Sequence, residues 1–220
     1  MTSPPKTQLI RTGPFALTAP PQTDLWRKPP ATDVSTAPTH PATLPTYPLS
    51  SFRRARVTFS LPPAGELRQY DQAGLVLRFD RDGEGGEKGK WVKTGIEWYE
   101  GRPWVSTVAC DAWADWSVVP LDTNTSTNTS STADAETRPS ATIEVERHAD
   151  PLGSSLWVYR VLTTSTGETR VPLREINWVF AATEGWRVGV GGLVARPDPE
   201  GKGGELVGEF GGVEVEVDGE

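Results

Sequence analysis

The chain has 220 residues, 36% of them hydrophobic and 23% charged, with a formal net charge of −7. That length and apolar content fit one all-β domain. The acidity argues against a nucleic-acid binder, which needs a basic patch to neutralise phosphates, and no apolar run is long enough to span a bilayer. A single cysteine, Cys110, excludes an intramolecular disulfide. With no secretion-type leader, it makes a cytoplasmic protein the expectation.

Residues 1–50 hold more than half of the 20 prolines. Proline removes a backbone donor and breaks helices and central strands, so this part is expected to be an extended strap around the domain, partly disordered. One piece looks anchored: Asp24-Leu25-Trp26-Arg27-Lys28-Pro29-Pro30, where a leucine and an aromatic precede a polyproline-like step. It reads as a strap packed on the domain or, alternatively, as a docking peptide for a partner.

Strand signals begin at Phe52–Leu61, where Ala55, Val57 and Phe59 alternate against Arg54, Arg56 and Thr58. A meander follows from Tyr70 to Pro120. Side chains alternate along a strand with period two. Ala73, Leu75, Leu77 and Phe79 therefore share the core face, as do Val92, Thr94, Ile96 and Trp98 on the next strand. Slipping the register by one residue would bury Lys93 and Glu97 beside leucines, so the apolar sets should oppose each other. Glu100-Gly101 resembles the acidic-Gly signature of a two-residue hairpin. That turn places Val105, Thr107 and Ala109 over the core and sets Trp104 opposite Glu97, Ser106 opposite Gly95 and Val108 opposite Lys93. The second face then displays Arg78, Asp80, Trp91, Lys93, Glu97, Tyr99, Trp104 and Ser106, a polar surface with aromatic plates.

The loop from Gly83 to Gly89 lacks phosphate-loop spacing and lies between strands, so it reads as a hairpin loop, and Gly189–Val194 misses the dinucleotide fingerprint. Residues 121–142 are Ser/Thr-rich and poor in apolar groups, which predicts a disordered insert. Further strands are expected at Thr142–Arg147, Ser155–Leu162, Val171–Ala181 with Ile176, Trp178 and Phe180 on one face, Trp186–Ala195 and Phe210–Val217. No segment shows a sustained helical period. The domain is therefore expected to span 51–217 as a β-sandwich.

YDQAGLVLRFD from Tyr70, WVKTGIEWYEGRP from Trp91, DWSVV from Asp115, and REINWVFA from Arg174 with the following GWRVGVGGLVARP resemble the regulation of enolase protein 1 family. The segment DLWRKPPATD from Asp24 resembles the entry segment of its fungal members. The resemblance implies a concanavalin A-like jelly-roll of two antiparallel sheets with a concave side, an intracellular location, and a regulatory influence on the glycolytic enzyme enolase. It supplies no catalytic residues.

No cofactor or metal is expected, since His40, His148 and Cys110 show no metal-ligand spacing. The expected function is non-catalytic binding or regulation, with carbohydrate or a glycolytic enzyme as partner. The ligand face comprises Arg78, Trp91, Lys93, Glu97 and Trp104, with Tyr70, Asp71 and Gln72 at its rim: rings to stack on a sugar, and polar groups to orient its hydroxyls. Glycoside hydrolysis is the enzymatic alternative. It needs a second carboxyl group about 5 Å or about 6.5–9.5 Å from Glu97, and Asp71, Asp80 and Asp115 are the candidates. A scaffold docking through the Pro-rich strap is the third reading.

Overall fold

Apolar and polar side chains alternate from residue 52 onward, and this part of the chain forms long antiparallel strands in the computed structural model, which describes residues 6–81, 89–121, 135–200 and 204–219. The proline-rich start is also extended, but in short pieces: β1 (Thr7–Arg11), β2 (Phe15–Ala19), β3 (Leu25–Lys28), β4 (Thr32–Ser35), β5 (Thr39–His40) and β6 (Thr46–Pro48). The meander supplies β7 (Phe52–Ser60), β8 (Gln72–Arg81), β9 (Lys90–Tyr99), β10 (Arg102–Cys110) and β11 (Ala114–Pro120). After them come β12 (Ser140–Asp150), β13 (Gly153–Thr164), β14 (Gly167–Ile176), β15 (Trp186–Ala195) and β16 (Leu206–Asp218).

These strands make an all-β jelly-roll sandwich. One sheet runs β1-β16-β7-β12-β13-β14, with β2 also on β16; the other runs β11-β10-β9-β8-β15-β5, with β6 also on β15; β3 and β4 form a separate hairpin. Every strand pair within these sheets is antiparallel. The main core lies between the two large sheets. Phe52, Val57 and Phe59 of β7 meet Leu75, Leu77 and Phe79 of β8 and Ile96 of β9, all at most 2% exposed.

The meander follows the register that its hydrophobic pattern demands. Glu97 lies opposite Trp104, Gly95 opposite Ser106 and Lys93 opposite Val108. Glu100 and Gly101 adopt φ of 50° and 74°, the left-handed pair that a tight primed hairpin turn requires. Val105, Thr107 and Ala109 are buried on the inner side.

Two segments differ from expectation. The strand expected over Val171–Ala181 ends at Ile176, and residues 177–180 form a turn. A period-two strand buries alternate residues, whereas Trp178, Val179 and Phe180 are consecutive and all pack on the core. A turn accommodates that and a strand does not. The N-terminal segment also does more than wrap: β1 and β2 extend the first sheet through β16, and β5 and β6 edge the second through β15. Prolines at 38, 41, 45 and 48 keep these edge pieces to two or three residues. The loop expected from Gly83 lies outside the described residues up to position 88, as does 122–134 of the expected insert, whereas β12 already begins at Ser140. No helix among the described residues is long and apolar enough to cross a membrane.

Candidate functional site

The outward positions of β8, β9, β10 and β15 mix polar and apolar side chains. Val76, Trp91, Val108, Cys110, Leu193 and Ala195 would leave a greasy patch on the sheet. The β3–β4 hairpin closes it, with Leu25 and Ala37 completing a second buried cluster flanked by Trp26, Leu44 and Trp116. Leu25 is only 1% exposed. Four polar contacts fix the hairpin: Lys93 Nζ to Asp24 Oδ1 at 3.1 Å, Arg27 Nε to Asp33 Oδ1 at 3.0 Å, Arg27 Nη2 to the Gly89 carbonyl at 3.2 Å, and Arg78 Nη2 to Ser35 Oγ at 3.1 Å.

Trp91 is thereby 2% exposed, beneath the hairpin, and offers no face to a ligand. Lys93 is sealed as well: its ammonium sits 5.9 Å from the ring centres of both Trp26 and Trp91 and pairs with Asp24. Such a cation is held by ring quadrupoles and a carboxylate together.

Beyond Lys93 a small hollow remains. Gln72, Gly74, Lys93, Gly95, Glu97 and Ser106 line it, with about 10 Å³ of space, enough for one water-sized group. Its floor is bare backbone. A Cβ on Gly95 would stand 2.0 Å from the Ala73 carbonyl oxygen, and one on Gly74 would stand 2.2 Å from that of Thr94, so neither strand tolerates a side chain there. Glu97 is 6% exposed, and its Oε2 accepts from Trp116 Nε1 at 3.0 Å. The same indole N–H lies 3.2 Å from Ser106 Oγ. Burial pushes the Glu97 carboxyl above the usual glutamate range, while the Lys93 charge and the bonds from Ser106 and Trp116 pull it back only in part.

Beside the hollow lies a group of aromatics, of which Tyr70 is exposed and Tyr99, Trp104 and Trp116 are half-buried. Tyr70 is 41% exposed and stacks on Tyr99 with centroids 5.7 Å apart, and Tyr99 meets Trp116 edge-on at 5.2 Å. Trp104 donates to the Tyr99 carbonyl at 2.9 Å and carries Arg102 on its face at 3.9 Å. Tyr70 holds φ of 66°, a left-handed conformation costly for a bulky residue. A hydrogen bond from its N–H to the Trp98 carbonyl at 2.7 Å maintains it.

The expected site residues thus separate. Gln72, Glu97, Tyr70 and Trp104 gather around the hollow, while Arg78 lies at the other end of the face. Asp71 leaves the rim altogether: it is 0% exposed and receives Arg196 Nε at 3.0 Å and Nη2 at 2.6 Å, plus the Arg68 backbone N–H at 2.8 Å. Stepping back two from Ala73 puts Asp71 on the inner parity, so the alternation itself forbids a rim position. Nor do the other candidate acids reach Glu97. Asp80 is at the far end of β8 opposite Arg187, and Asp115 is bound by Arg174 Nη2 at 2.5 Å. The acidic group that bears electrostatically on Glu97 is Asp24, with Lys93 beside both. Sequence reasoning missed Asp24 and the Trp116 donor. For Trp116 the signal was available, since register sets it opposite Val108 and hence on the outer face.

A family model for proteins of unknown function, DUF1349, matches residues 1–202. The chain belongs to the DUF1349 family. The match takes in the β3–β4 hairpin as well as the meander. A relative by sequence is the uncharacterized protein AN7484 of Emericella nidulans, 39% identical over 203 residues that cover 92% of this chain and 86% of that protein. Among solved structures, a functionally unknown protein from Saccharomyces cerevisiae aligns with a TM-score of 0.56 at 17% identity, over 93% of this chain and 92% of that one. At that identity the likeness establishes the shared fold alone.

Proposed function

We propose that this DUF1349 chain is a non-catalytic binding protein whose ligand inserts one hydroxyl-sized group between Gln72, Ser106 and Glu97 and rests an apolar ring face on Tyr70 and Tyr99. Carbohydrate is the ligand class that combines these features. One observation carries the reading: a nearly buried carboxylate lines a polar hollow, and the exposed Tyr70, stacked on a half-buried Tyr99, stands beside it. Buried polar groups recognise hydroxyls strongly because leaving them unpaired is costly. Binding is favoured over glycoside hydrolysis because Asp71, Asp80 and Asp115 are all committed or remote. The docking-peptide reading of the strap loses support because Leu25 and Arg27 are buried against the chain's own sheet.

A regulatory action on a glycolytic enzyme such as enolase, in the cytoplasm, belongs to the same reading and rests on the family resemblance. Adding the protein to purified enolase tests it, and an unchanged kcat/KM removes it. For the ligand, titration calorimetry against a panel of glucans and simple sugars is the direct test. Tyr70→Ala and Glu97→Gln should each weaken the binding that appears by about tenfold. A flat trace across the panel sinks the proposal, as would unaltered binding by both variants.

A further inference from the structure

The same face has a second concavity, which shares no lining residue with the Glu97 hollow. It is a trough of about 420 Å³ at the opposite end of β8, floored by Arg78, Asp80 and Gly189 and walled by Ser35, Thr39 and Thr46 of the N-terminal segment. Arg78 dominates it. Its guanidinium is half-buried yet, among the described residues, makes a single hydrogen bond, Nη2 to Ser35 Oγ at 3.1 Å, leaving most of its five N–H donors uncommitted. Burial pushes its pKa below the usual arginine value, opposed by the charge of Asp80. A partly desolvated cation of this kind gains most from an anion that replaces the lost water.

The surroundings fit that requirement. Arg187 lies directly across from Asp80 and fixes the wall by donating Nε to Thr46 Oγ1 at 3.1 Å and Nη2 to the Thr46 carbonyl at 2.9 Å. Arg187 stands behind the Thr46 wall and does not line the trough, so Arg78 is the lining cation that a ligand meets there. Asp80 and the threonine hydroxyls add acceptors and donors around the cation, suited to hydroxyls rather than to a bare ion. Its volume lies within the range of small-molecule sites, roughly 300–1,000 Å³.

We propose that this trough binds a small polyhydroxylated anion, its phosphate or carboxylate oxygens paired in bidentate fashion with the Arg78 guanidinium and its hydroxyls meeting Asp80, Thr39 and Thr46. The site is independent of the Glu97 hollow and stands or falls separately from it.

Side-chain NMR of Arg78 gives a local readout in the unmodified protein. Glucose 6-phosphate and gluconate are the two anionic probes, with phosphate and carboxylate groups respectively, and glucose and inorganic phosphate are the controls. Movement of the Arg78 Nε–Hε signal with either anionic probe, weakened by added salt and smaller with inorganic phosphate, supports the proposal. Glucose should leave that signal in place. Calorimetry should show Arg78→Met losing about tenfold or more in affinity for the responding probe. A signal unmoved by both probes overturns the proposal, as does a folded Arg78→Met that binds as tightly as the parent. An inorganic phosphate response equal to the probe's removes the hydroxyl part. Should Arg78→Met fail to fold, Ser35→Ala combined with the resonance titration decides in its place.

Discussion

The two large sheets turn opposite kinds of surface outward. On the first, charge is tiled across strands: Arg54 meets Glu144 at 2.8 Å and Glu216 at 3.2 Å, Arg56 meets Glu168 at 2.5 Å, and Arg170 bonds Glu144 at 3.1 Å and also Glu146. On the second, an apolar patch spans four strands and the chain covers it with its own N-terminal hairpin, leaving a concavity at each end. On the first sheet the charged side chains satisfy one another across strands. A covered sheet forces polar side chains into low-dielectric positions at the edges of the cover, and there charge becomes selective.

The sharpest way to break this contrast is to loosen the cover. Leu25→Ala removes a fully buried side chain from the second cluster and should cost about 2–5 kcal/mol, read as a lower urea midpoint with an unchanged slope. A loss well under about 1 kcal/mol would mean that the hairpin does not close the sheet. Gly95→Ala should follow, at about 3 kcal/mol. Its Cβ meets backbone rather than a movable side chain, and overpacking of that kind is costly. If Gly95→Ala melts like the parent, the floor of the hollow is not held as tightly as the strands' approach indicates.

Glu97→Gln tests the electrostatics. The folded state holds the Glu97 proton more tightly than the unfolded chain does, so the carboxyl contributes stability while protonated, and that contribution is lost as pH rises from the ordinary glutamate range through the raised value. The amide is neutral throughout. The variant should match the parent in acid and become the more stable of the two toward neutral pH. A difference of the opposite sign, or one that does not vary with pH, contradicts the burial argument. The smallest effect belongs to the lattice. A double-mutant cycle on Arg56 and Glu168 should give less than about 1 kcal/mol and fade in about 1 M salt, because the pair is half-exposed. A coupling that persists in salt would make that face more than a solvated one.

Much of this was legible without coordinates. Period-two alternation and the Glu100-Gly101 turn sufficed to pair Glu97 with Trp104 and Lys93 with Val108, because a one-residue slip would bury charge. The same rule, carried to Asp71, would have removed it from the rim. It could not show that Trp91 and Lys93 lie under a lid. An outward-pointing residue is exposed only if nothing lands on it, and Leu25 arrives from 66 positions before Trp91 in the chain.

Local sequence therefore determined the strands, their register and which side of each faces the core, since those follow from the chirality and pleat of the backbone and the cost of burying charge. Only the tertiary fold decided which of the outward residues still meet solvent. The hairpin's landing place depends on an apolar patch assembled from four strands, and no single stretch of sequence encodes it.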